Sequence, residues 1–470
     1  MNLIQDALPW TIKHLSQFDR KDLLMLFEVD QSVKQDQIIP ITHLMVLIYA
    51  KSRLTKSLNT YQQRFNLVDW YLSIGKTSFA IDRLVELLHA NLQSNLNLEV
   101  SNKEPGINII GYARSLTGLG EDVRNITSVV EKLDIPFCSL CLRHNSDSIL
   151  HLLVPNEVYF PKFATSIFCM NIIEYQKFVN QYDSMDAFGH IILQAPWELP
   201  HLPKEFIDNV SGVNEFWAIS SFVKKALVEA GLGCIHHVHP AVNCDTIESN
   251  AEPIGQNGPF TFLYIFDAGS YLSRKNPIGL IEAFQNAFYN NEYVQLVLKV
   301  SNESNSDHYL RLKSACDADN RIKLINCQFD KSQLSNLYAS ADCYISLHRS
   351  EGFGRTIAEA ALHKLPIIAT SWSGSEDILP DDSELLVSYK LIPLAETDYP
   401  YSQDQFWAEP NLNHASELML KVFKMSDGER RNLGDENYNF VSSHFSCEHA
   451  EQQIFSLLSS KFSSIKVIDN

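Results

Sequence analysis

The 470-residue chain has little positive charge: 38 lysines and arginines stand against 56 aspartates and glutamates, a net charge of −18 with a pI near 5.3. General nucleic-acid binding is disfavoured by that balance, because it needs a basic face that displaces counterions from phosphate. A local basic patch that reads phosphate stays open. No window is apolar for the length of a membrane span; the nearest, residues 39–50, is too short and contains His43. Met1 to Asp6 carry no basic segment leading into an apolar core, so no signal peptide is expected. The nine cysteines are an odd number scattered along the chain, with one C-x-x-C at Cys138 and Cys141 and no histidines at zinc spacing. That pair reads as two ordinary buried thiols, and scattered unpaired cysteines fit a reducing compartment. Internal repeats and low-complexity tracts are missing as well. The expectation is a soluble, cytoplasmic protein.

What is present begins with length. A chain of 470 residues is too long for one typical core, so at least two domains are expected. Residues 1–104 show apolar residues at helical spacing, as in Asp19–Phe27 and Ala80–Leu88, and no strand alternation. They read as a helical extension, ending in a polar stretch from Gln93 to Pro105. Residues 105–240 open with an apolar run at Gly106–Tyr112, then the turn Thr117-Gly118-Leu119-Gly120 and a helical pattern from Val123. Strand, glycine loop and helix are how a parallel α/β domain presents backbone amides to an anion. Further apolar runs near 137–142, 149–154, 166–170, 191–195 and 216–219 complete one doubly wound domain. Residues 241–445 hold a second series, at 260–265, 294–300, 322–325, 343–347, 366–369 and 384–387, and residues 388–410 read as a long ordered loop. A last helix is expected within 446–470, packing back on the amino-terminal domain. The fold class is therefore α/β: two Rossmann-like domains facing a cleft, with ligands at the carboxyl ends of the strands.

The chemistry gathers after the run at 343–347. Glu351 and Glu359 are separated by seven residues that include Gly352 and Gly354. On one helix they would stand roughly 12 Å apart along the axis, too far to act as a pair. The glycines instead place Glu351 at a strand's carboxyl end and Glu359 inside the following helix. Amides at that helix start, around Gly352, Phe353, Gly354 and Thr356, favour a phosphate. Carboxylates on either side of it are good acceptors for sugar hydroxyls. A sugar on each side of a diphosphate is a nucleotide sugar. Arg274 and Lys275, after the first strand of the second domain, are placed to neutralise the leaving diphosphate. The bland alternatives are a solvated loop carboxylate, a helix-start charge and an exposed basic pair.

With these residues in view, the stretch from Glu351 to Glu359 resembles the E-x7-E signature of retaining glycosyltransferases of the GT-B fold, the family 4-like group 1, in a bacterial polysaccharide-type branch. The Tyr271–Phe284 segment is similar to that group's basic donor-phosphate loop, and Val297-Leu298-Lys299 to the strand bearing a second donor-side lysine. Ile109–Glu121, Pro196–Pro200, Phe216–Phe222 and Phe406–Pro410 fit the same branch. The resemblance covers roughly residues 105–460. It implies transfer of a sugar, a hexose in the first instance, from a nucleotide-diphosphate sugar to a hydroxyl of a glycan or lipid-linked saccharide. Glu351 would hold the donor sugar and Glu359 the ribose. Gly118 and Gly120 would approach the donor phosphates, and Glu376 the donor sugar. Glu198 is a candidate for binding acceptor hydroxyls or assisting proton transfer, and His190 for a place near the transferred sugar.

No metal or other cofactor is implied. The one D-x-D, Asp317-Ala318-Asp319, precedes a strand and reads as a solvated turn. Arg355 stands where an aliphatic residue is common, and Ser373-Gly374-Ser375 where a Gly-Gly pair is common; both bear on donor identity. A nucleotide-sugar epimerase, a phosphorylase-like enzyme and a silent scaffolding subunit are the rival readings. For residues 1–104 the choice lies between packing, docking of a protein partner, and peripheral association with the inner membrane face through Lys51, Arg53, Lys56 and Arg64 beside Tyr61 and Phe65.

Overall fold

A computed structural model describes residues 41–52, 58–76, 103–142, 154–158, 161–181, 184–208, 212–242, 258–291, 293–302 and 306–459, with Asp30, Val33, Ile81, Val210 and Lys461. The chain forms two compact units: Met1–Ile192 with Ser211–Asn214 and Ser464–Asn470, and Leu193–Val210 with Glu215–Ser463.

Within the extension, helices His43–Lys51 and Tyr61–Trp70 are described, the second running into a π-turn at Tyr71–Gly75. Thr42 caps the first, and Thr60 with Gln63 forms a capping box on the second. They enclose a core of their own: Ile41, Leu44, Met45, Ile48, Leu67, Val68, Tyr71 and Ile81. Arg64, expected in a surface basic run, is instead buried, and its guanidinium donates to the Leu58 carbonyl at 2.9 Å. Asp19–Phe27, Arg53 and Lys56 lie outside the described residues.

The first α/β sheet is built from β1 (Glu104–Gly111), β2 (Phe137–Cys141), β3 (Phe163–Cys169), β4 (His190–Gln194), β5 (Val213–Ala218) and β6 (Ile235–His237), in the order β2-β1-β3-β4-β5-β6. The strand order reverses at β1, which pairs in parallel with β2 on one side and β3 on the other, and this places the switch point at the carboxyl end of β1. The helix after β1 runs Gly118–Lys132, so the two glycines lie in its first turn and the helix starts earlier than its apolar pattern suggests. A Cβ on Gly120 would press on the carbonyl of Tyr112 at 2.9 Å, whereas Gly118 faces open space. The run expected at 149–154 falls mostly outside the described residues.

The second sheet contains β7 (Phe260–Asp267), β8 (Val294–Ser301), β9 (Ile322–Asn326), β10 (Cys343–Ser346), β11 (Ile367–Thr370) and β12 (Leu386–Val387). Its order is β12-β11-β10-β7-β8-β9 and every neighbouring pair is parallel. The near-continuous burial of β7 and β8 is what a sheet covered on both faces demands. Helix Pro277–Ala287 packs against Leu412–Lys424, and Arg355–Leu362 against Asp427–His444. The switch point of this sheet lies between β7 and β10.

Two expectations change here. Residues 388–410 contain an antiparallel hairpin, β13 (Tyr389–Pro393) with β14 (Phe406–Pro410). Its strands hide from pattern reading because prolines end both of them and a long connection separates them. Among the described residues seven cysteines are free thiols, but Cys447 is disulfide-bonded, against the expectation of unpaired cysteines throughout.

Candidate active site

The loops that leave β7 and β10 meet at the switch point, and each is bent for that purpose. After β7 the chain forms a 3-10 turn at Ala268–Ser270 and a one-turn helix, Leu272–Lys275. Tyr271 and Asn276 flank that turn with φ of 63° and 53°. Asn276 tolerates the left-handed region, its Oδ1 caps the next helix at the Gly279 amide, and its Nδ2 donates to the Leu347 carbonyl at 2.9 Å. The Arg349 amide donates to the Arg274 carbonyl at 2.8 Å, tying the β10 loop to the basic turn.

The structure brings Arg274, Lys275 and Glu351 together, and the two cations differ. Lys275 Nζ donates to Glu351 Oε1 at 2.5 Å and has no other hydrogen-bonded partner among the described residues. Arg274 is buried, and its guanidinium donates to Glu351 Oε2 at 3.1 Å and to the carbonyls of Ser350 at 2.8 Å and Ser270 at 3.2 Å. Arg274 is thus committed to protein partners and orients the loop, while the Lys275 ammonium has a carboxylate as its hydrogen-bond partner among the described residues. Burial opposes ionisation of Glu351, but Lys275 and Arg274 overrule it and hold the carboxyl at about 2. Burial and the adjacent Arg274 push Lys275 below its ordinary value against the pull of Glu351. A buried guanidinium and a half-buried ammonium sharing one hydrogen-bonded carboxylate make a place where an added anion is favourable.

Gly352, Phe353 and Gly354 complete the turn. Gly354 sits at φ 100° as the N-cap of helix Arg355–Leu362, and no side chain caps that helix. Amides at a helix start without a side-chain cap are the kind that favour a phosphate. A third loop, Ser373–Asp377, closes over Glu351: the Ser373 hydroxyl accepts from the Glu351 amide at 2.9 Å, and the Gly374 amide donates to the Glu351 carbonyl at 2.9 Å. A Cβ on Gly374 would meet the Phe353 amide nitrogen at 2.8 Å, backbone against backbone. Gly374→Ala should therefore displace the Gly352–Gly354 turn and weaken nucleotide binding about tenfold or more, measured by calorimetry, while the far helices keep their hydrogen-exchange protection.

Glu359 lies one helix further on. Tyr338 Oη donates to its Oε2 at 2.8 Å, and Tyr344 Oη contacts Thr356 Oγ1 at 2.7 Å. Burial, with Glu359 beside it, pushes the Tyr338 phenol well above its ordinary range, so it stays protonated and donates to the carboxylate. Lys299, on β8, is buried, with Nζ 2.5 Å from the Ser301 hydroxyl and 5.7 Å from the Phe329 ring centre. Its pKa is lowered by burial, against the charges of Cys327, Asp267 and Glu359. Glu198 joins the same region: its Oε2 accepts from Tyr399 Oη at 3.1 Å and its carbonyl from the Ser350 hydroxyl. Glu376 is exposed on the third loop. Gly118 and Gly120 belong to the first sheet's switch point, and His190 opens β4 at its amino end.

Several residues escaped the sequence reading. His348 is fully buried, with Nδ1 3.0 Å from Ser346 Oγ and Nε2 2.9 Å from Ser375 Oγ. The Ser-Gly-Ser departure thus supplies two hydroxyls with definite partners, Ser373 for Glu351 and Ser375 for His348. Arg349 donates to both oxygens of Glu409 at 2.7 and 3.1 Å and to the Ser273 carbonyl at 2.6 Å, fastening the hairpin to the basic turn. Asp319 of the D-x-D pairs with Arg321 at 2.7 Å. Among the described residues no cluster of three or more His, Cys, Asp or Glu could hold a metal ion, and no helix is long and apolar enough to cross a membrane.

Burial pushes His348 down to about 4. An unfolded histidine titrates near 6.5, so as the pH falls the unfolded chain takes up this proton first. The contribution of the neutral ring is complete above pH 6.5 and is lost as the pH drops towards 4, on the order of 3 kcal/mol in all. The urea midpoint should decline across that window, and less steeply in His348→Asn; equal slopes would contradict this assignment.

Residues 254–390, less than a third of the chain, match the family model described as Glycosyl transferases group 1. No curated protein sequence matches the chain. Among solved structures, a sucrose-phosphate synthase from Thermosynechococcus elongatus is 12% identical, covering 77% of this chain and 100% of its own, with a TM-score of 0.56. A glycosyltransferase from Rickettsia africae is 16% identical over 76% of this chain and 98% of its own, at 0.54. An apo lipopolysaccharide outer core galactosyltransferase is 15% identical over 76% and 100%, at 0.52. The second sheet and its loops therefore carry a glycosyl transferases group 1 domain, within a chain of the GT-B fold.

Proposed function

We propose that this protein is a retaining glycosyltransferase that moves a sugar, a hexose by family analogy, from a nucleoside-diphosphate sugar to a hydroxyl of a glycan or lipid-linked saccharide. The observation that carries the reading is the Lys275–Glu351 pair at the switch point, beside an uncapped helix start, in a segment that matches group 1 glycosyl transferases. In this reading the diphosphate takes up Lys275 and the amides that follow Gly354, and Glu351, released from Lys275, accepts hydroxyls of the donor sugar. Glu359, oriented by Tyr338, accepts ribose hydroxyls. The charge of the leaving diphosphate is met by an ammonium and helix amides, so a divalent ion has no necessary part. As the nucleotide departs from the face on which the acceptor arrives, its phosphate can take the acceptor's proton and no separate base is required.

The test is donor turnover. The protein is incubated in EDTA with UDP-, GDP-, ADP- and dTDP-sugars, and both released nucleoside diphosphate and the anomeric configuration of the first-formed sugar are read by NMR. One donor should be consumed, with its configuration retained. Consumption of none, or inversion at the anomeric carbon, would overturn the proposal.

A further inference from the structure

Tyr271 has features that the donor chemistry leaves unused. It is a non-glycine residue at φ 63°, a conformation that costs free energy and persists only where the surroundings impose it. The residue is nonetheless 45% exposed, and its hydroxyl makes no hydrogen bond among the described residues. The ring rests at 56° on that of Tyr399, centre to centre 4.6 Å. Tyr399 in turn orients Glu198 through Oε2, leaving Oε1 with no hydrogen bond among the described residues. The Ser273 hydroxyl donates to the Asp398 carbonyl at 2.5 Å, so the Tyr399 segment is pinned to the basic turn itself. Glu198 is held from the other side, because its carbonyl accepts from Ser350, next to Glu351.

An exposed aromatic face, a phenol and an oriented carboxylate oxygen, all beside the Lys275–Glu351 pair, match the two sides of a pyranose. One face of such a ring is apolar C–H and packs on an aromatic ring, while its hydroxyls suit a carboxylate acceptor. We propose that Tyr271 and Glu198 form the acceptor subsite, and that the acceptor's reacting end is therefore a saccharide ring and not a simple lipid or amino-acid hydroxyl. This rests on the glycosyl-transfer reading above and assigns residues to its saccharide acceptor.

The experiment uses the full chain and known probes. UDP and GDP are first tested for thermal stabilisation. Saturation-transfer NMR then screens methyl α- and β-glycosides of glucose, galactose, mannose and N-acetylglucosamine in the presence of the stabilising nucleotide. At least one glycoside should receive saturation. Tyr271→Asn, which tolerates the left-handed backbone, should weaken its binding about tenfold with the nucleotide's stabilisation unchanged, and Tyr271→Phe should retain most of it. Nucleotide stabilisation with no glycoside signal, or an undiminished signal in Tyr271→Asn, overturns the subsite and leaves the donor reading standing. Absence of stabilisation by either nucleotide and by ADP or dTDP overturns the donor reading, and the subsite with it.

Discussion

Lys275→Ala is expected to lower donor turnover about 10²–10³-fold, the range found when one preorganised stabiliser of developing charge is removed, with little change in thermal stability. The asymmetry follows from what each group touches. The alanine variant removes one ammonium, whereas the carbonyl of residue 275 still accepts from Tyr264 Oη at 2.8 Å, so the turn keeps its anchor. Glu351 keeps Arg274 and is not left as an isolated buried charge. Lys275→Arg should recover little, since a planar guanidinium cannot occupy the place of a compact ammonium lodged against one carboxylate oxygen. Steady-state kinetics on the donor, with the unfolding midpoint of each variant, check this; wild-type turnover in Lys275→Ala would contradict it.

Arg274→Met is expected to act through stability, at about 3–5 kcal/mol, the usual cost of removing one partner from a buried ion pair. Three acceptors lose their donor together: Glu351 Oε2 and the carbonyls of Ser350 and Ser270. A second replacement, Glu351→Leu, made on top of Arg274→Met, removes the stranded carboxylate and should restore part of the loss without restoring turnover. Acid dependence gives an independent reading. Glu351 is held at about 2 against an ordinary value of 4.5, so its contribution is present above pH 4.5 and is lost as the pH falls through about 2. In Arg274→Met the folded-state value should rise, so the loss should end at higher pH and be smaller in total, observable as a shallower acid limb in the urea midpoint. Equal stability of wild type and variant would show that Arg274 is not the staple its contacts describe.

The two sheets were legible because their strands are short apolar runs at α/β spacing, and the switch-point geometry then follows from strand order. The placement of Glu351 after a strand, Gly354 at a helix start and Glu359 within that helix was legible because the glycines between the two glutamates mark a strand–glycine–helix junction. Arg274 shows the limit. Its sequence position beside Lys275 suggests an equal share in phosphate binding, yet its guanidinium turns to carbonyls contributed by residues 270 and 350, and no local pattern encodes which of two adjacent cations turns inward. His348, Arg349 and Tyr338 were invisible for the same reason: each is defined by a partner 18 or more residues away, Ser375, Glu409 and Glu359 respectively. The β13–β14 hairpin was hidden because a proline ends each strand and a long connection separates them, and because β13 is largely exposed while β14 is largely buried, so neither strand alternates cleanly. For the helical extension, the buried Arg64 weakens the case for direct lipid contact by removing one charge from the expected basic run.

The most direct measurement is a calorimetric titration of UDP, GDP, ADP and dTDP into the wild-type protein and into Lys275→Ala, paired with thermal unfolding at saturating nucleotide. One nucleotide should bind the wild type and stabilise it by about 2.7 kcal/mol at a hundredfold excess over Kd, and its affinity for Lys275→Ala should fall by at least about tenfold. Binding of equal strength by both proteins, or stabilisation of neither by any nucleotide, would contradict a diphosphate site at the junction of β7 and β10.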